Sequence, residues 1–316
     1  MALQDPRSPR LLIVRRDNIG DLVCTTPLVD ALRARHPQAW IGALVNTYNA
    51  EVLARNPALD GVFAYEKLKH RGGGLLETVF GTMKLMRGLR AENLDYVLVP
   101  SATPRALRIA AGLKPKKVLA TDPAAHAGKH EVERAFLLGE PLGVTGRPGP
   151  MRVFPDPAIQ ARLRQDISGA PIAIHVSARR PAQRWPVERY IELIRKLGTS
   201  VLLLWAPGPK DDPRHPGDDD MAARIAAETG CARLPTPDLG TLIAALSLCG
   251  RIICPDGGAM HLAAGLGKPV VALFGDSPVE RWHPWGVPHR VVRPPSHDLA
   301  DLPVDEVLAA HAALAS

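Results

Sequence analysis

Short apolar runs alternate along the chain with longer segments in which apolar residues recur every three or four positions. The short runs predict buried strands, and the periodic segments predict amphipathic helices. In the first half, strands are predicted at 11–15, 40–45, 61–64, 95–99 and 116–120, and helices at 28–35, 49–56, 75–90 and 105–111. Strands that alternate with helices favour a parallel sheet with helices on its faces.

The same alternation begins again in the second half. Here strands are predicted at 172–176, 201–205, 251–254 and 270–274, and helices at 187–197, 221–229, 239–248, 260–266 and, after an extended proline-bearing segment, 304–313. Between the halves, residues 143–157 are rich in glycine and proline, which is typical of a linker. The sequence therefore predicts two α/β domains, 1–155 and 156–316.

The segment before and within the helix at 75–90 has a distinctive surface pattern. A charged stretch that ends in three glycines predicts an exposed, mobile loop at 66–74. In the helix, apolar residues at 75, 76, 79, 80, 83 and 86 predict one buried face. The basic end of the helix, from Lys84 to Arg90, could face an anionic glycolipid, but plain exposure to solvent is the simpler explanation.

Composition narrows the class of protein. The chain has 316 residues, of which 46% are hydrophobic and 22% charged, so it can build folded cores and is not a disordered protein. The net charge of +7 is spread without basic runs, and aromatic residues make up only 4%, which argues against a nucleic-acid partner. The mild excess of charge fits a solvated surface or a cleft that attracts phosphate groups.

Cysteine spacing and the apolar runs bear on the cellular compartment. Cys24, Cys231, Cys249 and Cys254 lack metal-ligand spacing, so buried, reduced thiols are expected. The polar start does not resemble a signal peptide, and the longest apolar runs are far too short to cross a bilayer. We therefore expect a cytoplasmic protein whose membrane contact would be peripheral, at the cytoplasmic face of the inner membrane.

The loop after the first predicted strand contains an aspartate behind a glycine. In open parallel sheets ligands bind beyond the carboxyl ends of the strands, so chemistry is expected in such loops. Gly20 would permit a sharp backbone turn that aims the Asp21 carboxylate into a cleft. A helix-capping aspartate is the alternative, and the residues alone favour it.

The loop after the strand at 172–176 contains three arginines, Arg179, Arg180 and Arg184. A guanidinium group offers a rigid set of donors that suits phosphate oxygens, and the start of the following helix adds partial positive charge. This loop therefore predicts an anion site. A solvated loop in which Trp185 is a packing anchor explains the same residues about equally well.

The loop after the strand at 251–254 combines an aspartate with two glycines and a histidine. Gly257 and Gly258 would let a phosphate approach the backbone amides, and His261 follows one helical turn later. Asp256 could instead simply cap the helix. No Gly-x-Gly-x-x-Gly or Walker sequence occurs in the chain, which disfavours dehydrogenases and kinases.

An Asp-x-Asp sequence runs from Asp218 to Asp220. Such a sequence holds a metal ion in some transferases. Here it precedes a predicted helix, where acidic residues complement the helix dipole, so we predict no metal site.

Taken together, these loops resemble glycosyltransferase family nine, the lipopolysaccharide heptosyltransferase-like enzymes. The resemblance rests on the sequence LLIVRRDNIGDLVCTTP at 11–27, on Arg184-Trp185-Pro186, on DGGAMHLAA from Asp256, and on Phe274-Gly275. These pieces span most of the chain in the family's order. As a set they are specific, although each is weak alone.

The resemblance implies an α/β protein of GT-B fold, in which two Rossmann-like domains face each other across a cleft and the last helix, about 304–313, packs back toward the N-terminal domain. The N-terminal domain would bind the acceptor, and the C-terminal domain would bind the nucleotide-diphosphate sugar. The implied reaction is an inverting transfer, without metal or cofactor, of a sugar, typically heptose from ADP-heptose. The acceptor would be a bacterial surface glycan or glycolipid such as lipopolysaccharide.

The resemblance also implies roles for individual residues. Asp21 would be the general base that takes the proton of the acceptor hydroxyl. The donor would be bound by Ser177, Arg184, Asp256, Gly257, Gly258 and His261, its ribose by Asp219 or Asp220, and the acceptor by Asp17 and Asn18. Arg184 and the glycine amides would stabilise the charge that grows on the leaving diphosphate.

Two other functions fit the same architecture. A nucleotide-sugar epimerase would interconvert the donor sugar without any acceptor. A non-catalytic nucleotide-sugar-binding protein would bind the donor without turnover.

Overall fold

A computed structural model describes residues 8–65, 75–122, 127–209 and 217–315, apart from the side chains of 75–79 and 315. The predicted mobile loop at 66–74, the start of the chain and part of the polar loop before Asp220 lie outside these residues. The chain divides into two compact units, Met1–Gly149 and Pro150–Ser316. The predicted domain boundary, between residues 155 and 156, lies six residues further along the chain.

Within its described residues, the first unit is built on a parallel five-stranded sheet with the order β3-β2-β1-β4-β5. The strands are β1 (Arg10–Val14), β2 (Trp40–Asn46), β3 (Gly61–Tyr65), β4 (Tyr96–Val99) and β5 (Lys117–Ala120). The helices are α1 (Ile19–Val23), α2 (Thr26–Arg35), α3 (Leu75–Ala91), α4 (Pro104–Gly112) and α5 (Glu131–Phe136). Two 3₁₀ segments lie at Thr47–Val52 and Leu137–Leu142.

The core of the first unit lies on both faces of the central strand β1. Successive side chains of a strand point to opposite faces of its sheet. Leu11 and Ile13 accordingly pack with α2 and α5 on one face. Leu12 and Val14 pack with α3 and α4 on the other face. Because both faces are covered, β1 is apolar throughout its buried length, as parallel strands usually are.

The helix predicted at 49–56 is wrong, because the chain forms only the 3₁₀ segment Thr47–Val52 there. Asn56 precedes Pro57, and a residue before proline is pushed out of the helical region, so a longer helix is disfavoured. The short helices α1 and α5 were not predicted. A helix of one or two turns contains too few residues to show a hydrophobic period.

The predicted apolar face of α3 is only partly right. Met86 packs into the core, but Phe80 is 67% and Met83 is 62% exposed. Leu85 and Leu89 complete the buried side. Residues four apart share one side of a helix, and the side that Leu85 and Leu89 define is not the side of Phe80 and Met83.

The second unit has a parallel six-stranded sheet among its described residues, with the order β11-β10-β9-β6-β7-β8. The strands are β6 (Ile172–His175), β7 (Val201–Trp205), β8 (Ala232–Pro235), β9 (Arg251–Pro255), β10 (Val270–Leu273) and β11 (His289–Val292). The helices are α6 (Pro157–Leu163), α7 (Val187–Leu197), α8 (Asp219–Thr229), α9 (Leu239–Leu248), α10 (Gly258–Gly265), α11 (Val279–Trp282) and α12 (Val304–Ala315).

The second unit follows its predicted pattern closely, and α7, β7 and α9 have the predicted bounds. The strands β8 and β11 were missed, as were the helices α6 and α11. Both strands lie at the edges of the sheet, and β8 is largely exposed, so neither has a continuous apolar run. The last helix, α12, packs against α7 and β11 of its own unit, and its predicted return to the N-terminal domain stays a prediction.

The structure describes the burial of the four cysteines and the length of the helices. All four cysteines lie in the described part of the chain as thiols, and Cys24, Cys249 and Cys254 are buried as predicted, whereas Cys231 is half-buried. Burial raises the pKa of Cys249 to about 12, so its thiol stays protonated. Among the helices that the structure describes, none is long and apolar enough to span a bilayer.

Candidate active site

The winding of each sheet shows where ligands should bind. In the first unit β1 lies between β2 and β4, and in the second unit β6 lies between β7 and β9. The helical connections therefore change face beside these strands, and open α/β sheets bind ligands beyond the carboxyl ends of the strands at such a point. The candidate residues of the three loops follow β1, β6 and β9.

Arg15, directly after β1, is the centre of a buried charge cluster in the first unit. Its side chain is 1% exposed, and Nη2 lies 2.7 Å from Oδ1 of Asp21 and 2.6 Å from Oε1 of Glu131. Its Nε lies 3.1 Å from Oδ2 of Asp17. Burial alone would lower the pKa of Arg15, but the three carboxylates together raise it above its ordinary value. Arg15 is therefore a permanent positive charge beside Asp21.

Asp21 also caps its own helix. Its Oδ2 accepts hydrogen bonds from the backbone N of Asn18 at 3.2 Å and from Nδ2 of Asn18 at 3.1 Å. The helix cap that the sequence offers as an alternative is therefore present. The role of Asp21 as the general base stays a prediction. The expected sharp turn at Gly20 is wrong, because Gly20 is a buried residue within α1. The helix start and Arg15 position the carboxylate instead.

The loop that carries Asp17 is held by polar side chains at the end of β2. Nδ2 of Asn49 and the hydroxyl of Tyr48 donate to the carbonyl of Asp17 at 3.2 and 2.5 Å. Nδ2 of Asn46 donates to the backbone carbonyl of Arg16 at 2.5 Å. Burial raises the pKa of Asp17, although Arg15 opposes the shift. The acceptor roles of Asp17 and of the exposed Asn18 stay predictions.

Asp256, after β9, lies between side chains from the loops that follow β6 and β10. Its Oδ2 accepts a hydrogen bond from Nε2 of Gln183 at 2.9 Å, and the same nitrogen lies 2.8 Å from Oγ of Ser277. Burial raises the pKa of Asp256, and the hydrogen bond with Ser277 opposes the shift. The simple helix cap is wrong, because the N-cap residue of α10 is Gly257.

The glycine turn that begins α10 is open on its outer side. At Gly257 the backbone is extended, with φ of 163°, and a Cβ atom would meet nothing within 4 Å. Neither backbone conformation nor crowding therefore requires glycine, and the open space suits a group that approaches the amides. Gly258 is the first residue of α10. His261 is buried edge-on against Trp282, with ring centroids 5.9 Å apart.

Arg184 and Ser177, both in the loop after β6, form hydrogen bonds with backbone atoms. Nε of Arg184 donates to the carbonyl of Ala178 at 2.9 Å, and its Nη1 lies 4.0 Å from Oδ1 of Asp218. Oγ of Ser177 accepts from the amide of Ala206 at 2.9 Å, which ties the loops after β6 and β7 together. A quarter of the Arg184 side chain is exposed, so its guanidinium can reach a ligand.

Trp185 bears out the packing alternative for the same loop. Its side chain is buried, packs edge-on against Tyr190 at 4.9 Å and donates through Nε1 to the carbonyl of Leu302 at 3.0 Å. The loop thus combines a packing anchor with a partly open guanidinium. The two explanations are compatible.

The three consecutive aspartates have structural positions at the start of α8. Asp219 accepts hydrogen bonds from Nε1 of Trp205 at 2.7 Å and from the amide of Gly208 at 2.9 Å. Asp220 is exposed, and Asp218 is the N-cap residue. Over the described ranges, no three His, Cys, Asp or Glu side chains are grouped as metal ligands. The ribose contact predicted for Asp219 or Asp220 stays a prediction.

Sequence reasoning missed four residues that the structure brings to these clusters: Arg15, Glu131, Gln183 and Ser277. Arg15 was assigned to the end of a strand, and Glu131 lies on a helix too short to be predicted. Gln183 and Ser277 follow strands that flank β9 in the sheet, so the strand order would have placed them beside Asp256.

Comparisons with known proteins give a consistent result. The model of glycosyltransferase family 9 (heptosyltransferase) matches residues 110–304. Lipopolysaccharide heptosyltransferase 3 of Escherichia coli strain K12 is 25% identical over 300 residues, which cover 84% of this chain and 82% of that relative.

Two solved structures resemble the whole chain. A family 9 glycosyl transferase from Veillonella parvula has a TM-score of 0.83 at 19% identity, covering 97% of both chains. The E. coli heptosyltransferase WaaC, solved with ADP-2-deoxy-2-fluoro heptose, has a TM-score of 0.76 at 21% identity, covering 95% of this chain and 98% of that one. These likenesses confirm the predicted GT-B fold class of two Rossmann-like domains.

Proposed function

The chain belongs to glycosyltransferase family 9 (heptosyltransferase), and we propose that it moves heptose from ADP-heptose onto a lipopolysaccharide or related bacterial surface glycan, with inversion and without a metal. The name of the E. coli relative supports the acceptor class, and the ligand of the WaaC structure supports the donor. The observation that carries the mechanism is the ion pair of Asp21 with the buried Arg15.

In the proposed reaction the acceptor hydroxyl oxygen bonds to the anomeric carbon on the face opposite the diphosphate. The bond between that carbon and the diphosphate oxygen breaks, and ADP leaves with the electron pair. Attack from the opposite face inverts the anomeric configuration. Asp21 takes the hydroxyl proton, because a free hydroxyl is a poor nucleophile. Arg15 supports this role because its short ion pair with Asp21 holds the carboxylate in one orientation.

The departing diphosphate gains negative charge as the bond breaks. We assign its stabilisation to the guanidinium of Arg184 and to the amides at Gly257 and Gly258. A cation and preorganised amide donors provide such stabilisation without needing to reorganise during the reaction. Asp256, Ser177 and His261 would hold the donor around these groups.

A peripheral position at the cytoplasmic face of the inner membrane fits a nucleotide-sugar donor and a glycolipid acceptor. On α3 the exposed Phe80 and Met83 lie close in sequence to the exposed cations Lys84 and Arg87. Apolar side chains beside basic ones suit the surface of an anionic membrane. This contact is part of the proposal.

The test combines binding with product analysis. A thermal-shift panel of ADP, UDP, GDP and their sugar conjugates should show a selective shift with ADP and ADP-heptose. ADP release from ADP-heptose should then require a core-truncated lipopolysaccharide acceptor, continue in EDTA, and give a product of inverted anomeric configuration by NMR. Isomerised donor sugar without acceptor would indicate an epimerase instead. Tight ADP-heptose binding without turnover on any acceptor would indicate a binding protein.

A further inference from the structure

Two guanidinium groups share one tyrosine ring at the carboxyl edge of the first sheet. Tyr65 is the last residue of β3, and Cζ of Arg16 lies 4.2 Å from the centroid of its ring. Cζ of Arg105, from the first turn of α4, lies 6.0 Å from the same centroid. Nη2 of Arg105 is also 3.5 Å from the Tyr65 hydroxyl. Three separate segments therefore bring two like charges together.

Arg16 differs from its neighbour Arg15 in its ion pairs. Arg15 pairs with three carboxylates, whereas in the described part of the chain neither Arg16 nor Arg105 forms an ion pair with a carboxylate. Arg16 is only 9% exposed, and its buried Nε has no hydrogen-bond partner among the described residues. Burial and, next, the charge of Arg105 lower the pKa of Arg16, whereas Tyr65 and Asp17 oppose the shift without cancelling it.

Buried charges in proteins are ordinarily paired and hydrogen-bonded, because removing an ion from water without compensation is costly. A tyrosine face attracts a cation, but it offers no acceptor to the guanidinium N–H groups. Two guanidinium forks and a phenolic hydroxyl together present the donors that a phosphate or carboxylate group accepts.

We propose that Arg16, Tyr65 and Arg105 form a subsite for an anionic group, phosphate or carboxylate, carried by the acceptor. That the anion belongs to the acceptor rests on the proposed function, whereas the anion site itself does not. The subsite lies in the unit that carries Asp21, and Arg16 directly precedes Asp17 in the same loop. The residues assigned to the donor diphosphate all belong to the second unit, so this site is additional to them.

The test observes Arg16 directly. In full-length protein labelled with ¹⁵N-arginine, the Nε–Hε resonance of Arg16 is assigned by its loss in Arg16→Gln. Inorganic phosphate and, separately, acetate are titrated at constant ionic strength. We expect a saturable shift of this resonance with at least one anion. Arg105→Gln should weaken that binding about tenfold, because it removes one charge-assisted contact.

Arg108→Gln is the matched control, because Arg108 is also exposed on α4 but makes no contact with Tyr65 in the structure. It should leave the anion affinity unchanged. If Arg16→Gln does not fold, Arg16→Lys assigns the resonance instead, because lysine keeps the positive charge but carries no ¹⁵N-arginine label. Arg105 is exposed, so Arg105→Gln should fold. No saturable shift with either anion, or equal loss in Arg105→Gln and Arg108→Gln, would overturn the subsite.

The two anions and a catalytic variant separate the remaining questions. A response to phosphate alone identifies a phosphorylated acceptor group, and a response to acetate alone identifies a carboxylate. Asp21→Asn should bind the anion as the wild type does. A saturable shift in a wild-type protein that shows no transferase activity would support the subsite while contradicting the proposed function.

Discussion

Asp21 and Glu131 both accept a hydrogen bond from the same nitrogen, Nη2 of Arg15, at 2.7 and 2.6 Å. Glu131 begins α5 and is only 2% exposed. A guanidinium that is held from two sides has little freedom to turn. Glu131 therefore fixes Arg15, and Arg15 in turn fixes the carboxylate that we assign as the base.

Replacing Glu131 tests whether this linkage positions Asp21. Glu131→Gln keeps the shape but removes the charge that holds Arg15, so kcat should fall by about 10²-fold while the KM for the donor is unchanged. Steady-state kinetics on ADP release measure both. Glu133→Gln is the control. The Glu133 side chain accepts a hydrogen bond from the backbone N of His130 in a helix cap, and glutamine can accept the same bond. Equal kcat in the two variants would assign Glu131 a structural role only.

The Asp17 carboxylate also pairs with Arg15 and lies just before the helix that carries Asp21. Its raised pKa makes Asp17 a competitor for the role of general base. If Asp21 is the base, Asp17→Asn should lower kcat by less than about tenfold, because a general base typically contributes 10²- to 10⁴-fold. Single-turnover rates of both variants decide the question. A larger loss in Asp17→Asn than in Asp21→Asn would transfer the role to Asp17.

Two glycines should respond in opposite ways to a single methyl group. In Gly257→Ala the new Cβ would meet no atom within 4 Å, so the melting temperature should stay nearly constant. The donor KM should rise about tenfold, because the methyl group obstructs the diphosphate. In Gly275→Ala the new Cβ would lie 2.1 Å from the carbonyl oxygen of Ala182, which should destabilise the fold by about 1–3 kcal/mol. Thermal unfolding and donor kinetics of the two variants provide the comparison. An unchanged donor KM in Gly257→Ala would remove the turn from the donor site.

The stability of the protein should fall on the acidic side because of His175. Burial lowers the pKa of this histidine from 6.5 to about 4. The unfolded chain therefore binds a proton between these pH values that the folded chain does not, and stability is lost as pH falls through this window. The contribution of His175 between pH 7.5 and pH 5 is about 2 kcal/mol.

Urea unfolding at the two pH values measures this effect. His175→Gln should lose less stability than the wild type over the same interval, because glutamine does not titrate. Equal losses in both proteins would show that His175 is not the group responsible.

The sequence predicts the framework of both units well, because each central strand is an apolar run and each long helix has a clear period. Its failures are local. The strand β8 lies at a sheet edge with little apolar surface, and α5 is too short to show a period. At α3 the apolar residues Phe80 and Met83 are exposed, and the pattern alone does not distinguish them from core residues.

Sequence motifs identify some residues of the candidate site but not the partners that hold them. Asp21, Arg184 and Asp256 were singled out because each follows a strand. Their partners were not, because Arg15–Glu131 and Gln183–Asp256 join segments that are far apart in the chain. Only the strand order and the packing of α5 bring these partners together, and neither is encoded in a local pattern.

The central claim is that Asp21 takes the acceptor proton, and Asp21→Asn tests it most directly. The measurement is the single-turnover rate of ADP release from ADP-heptose in the presence of acceptor, together with the dissociation constant of ADP. We predict a rate lower by about 10²- to 10⁴-fold with ADP affinity nearly unchanged, as the loss of a general base requires. A rate close to that of the wild type would contradict the account.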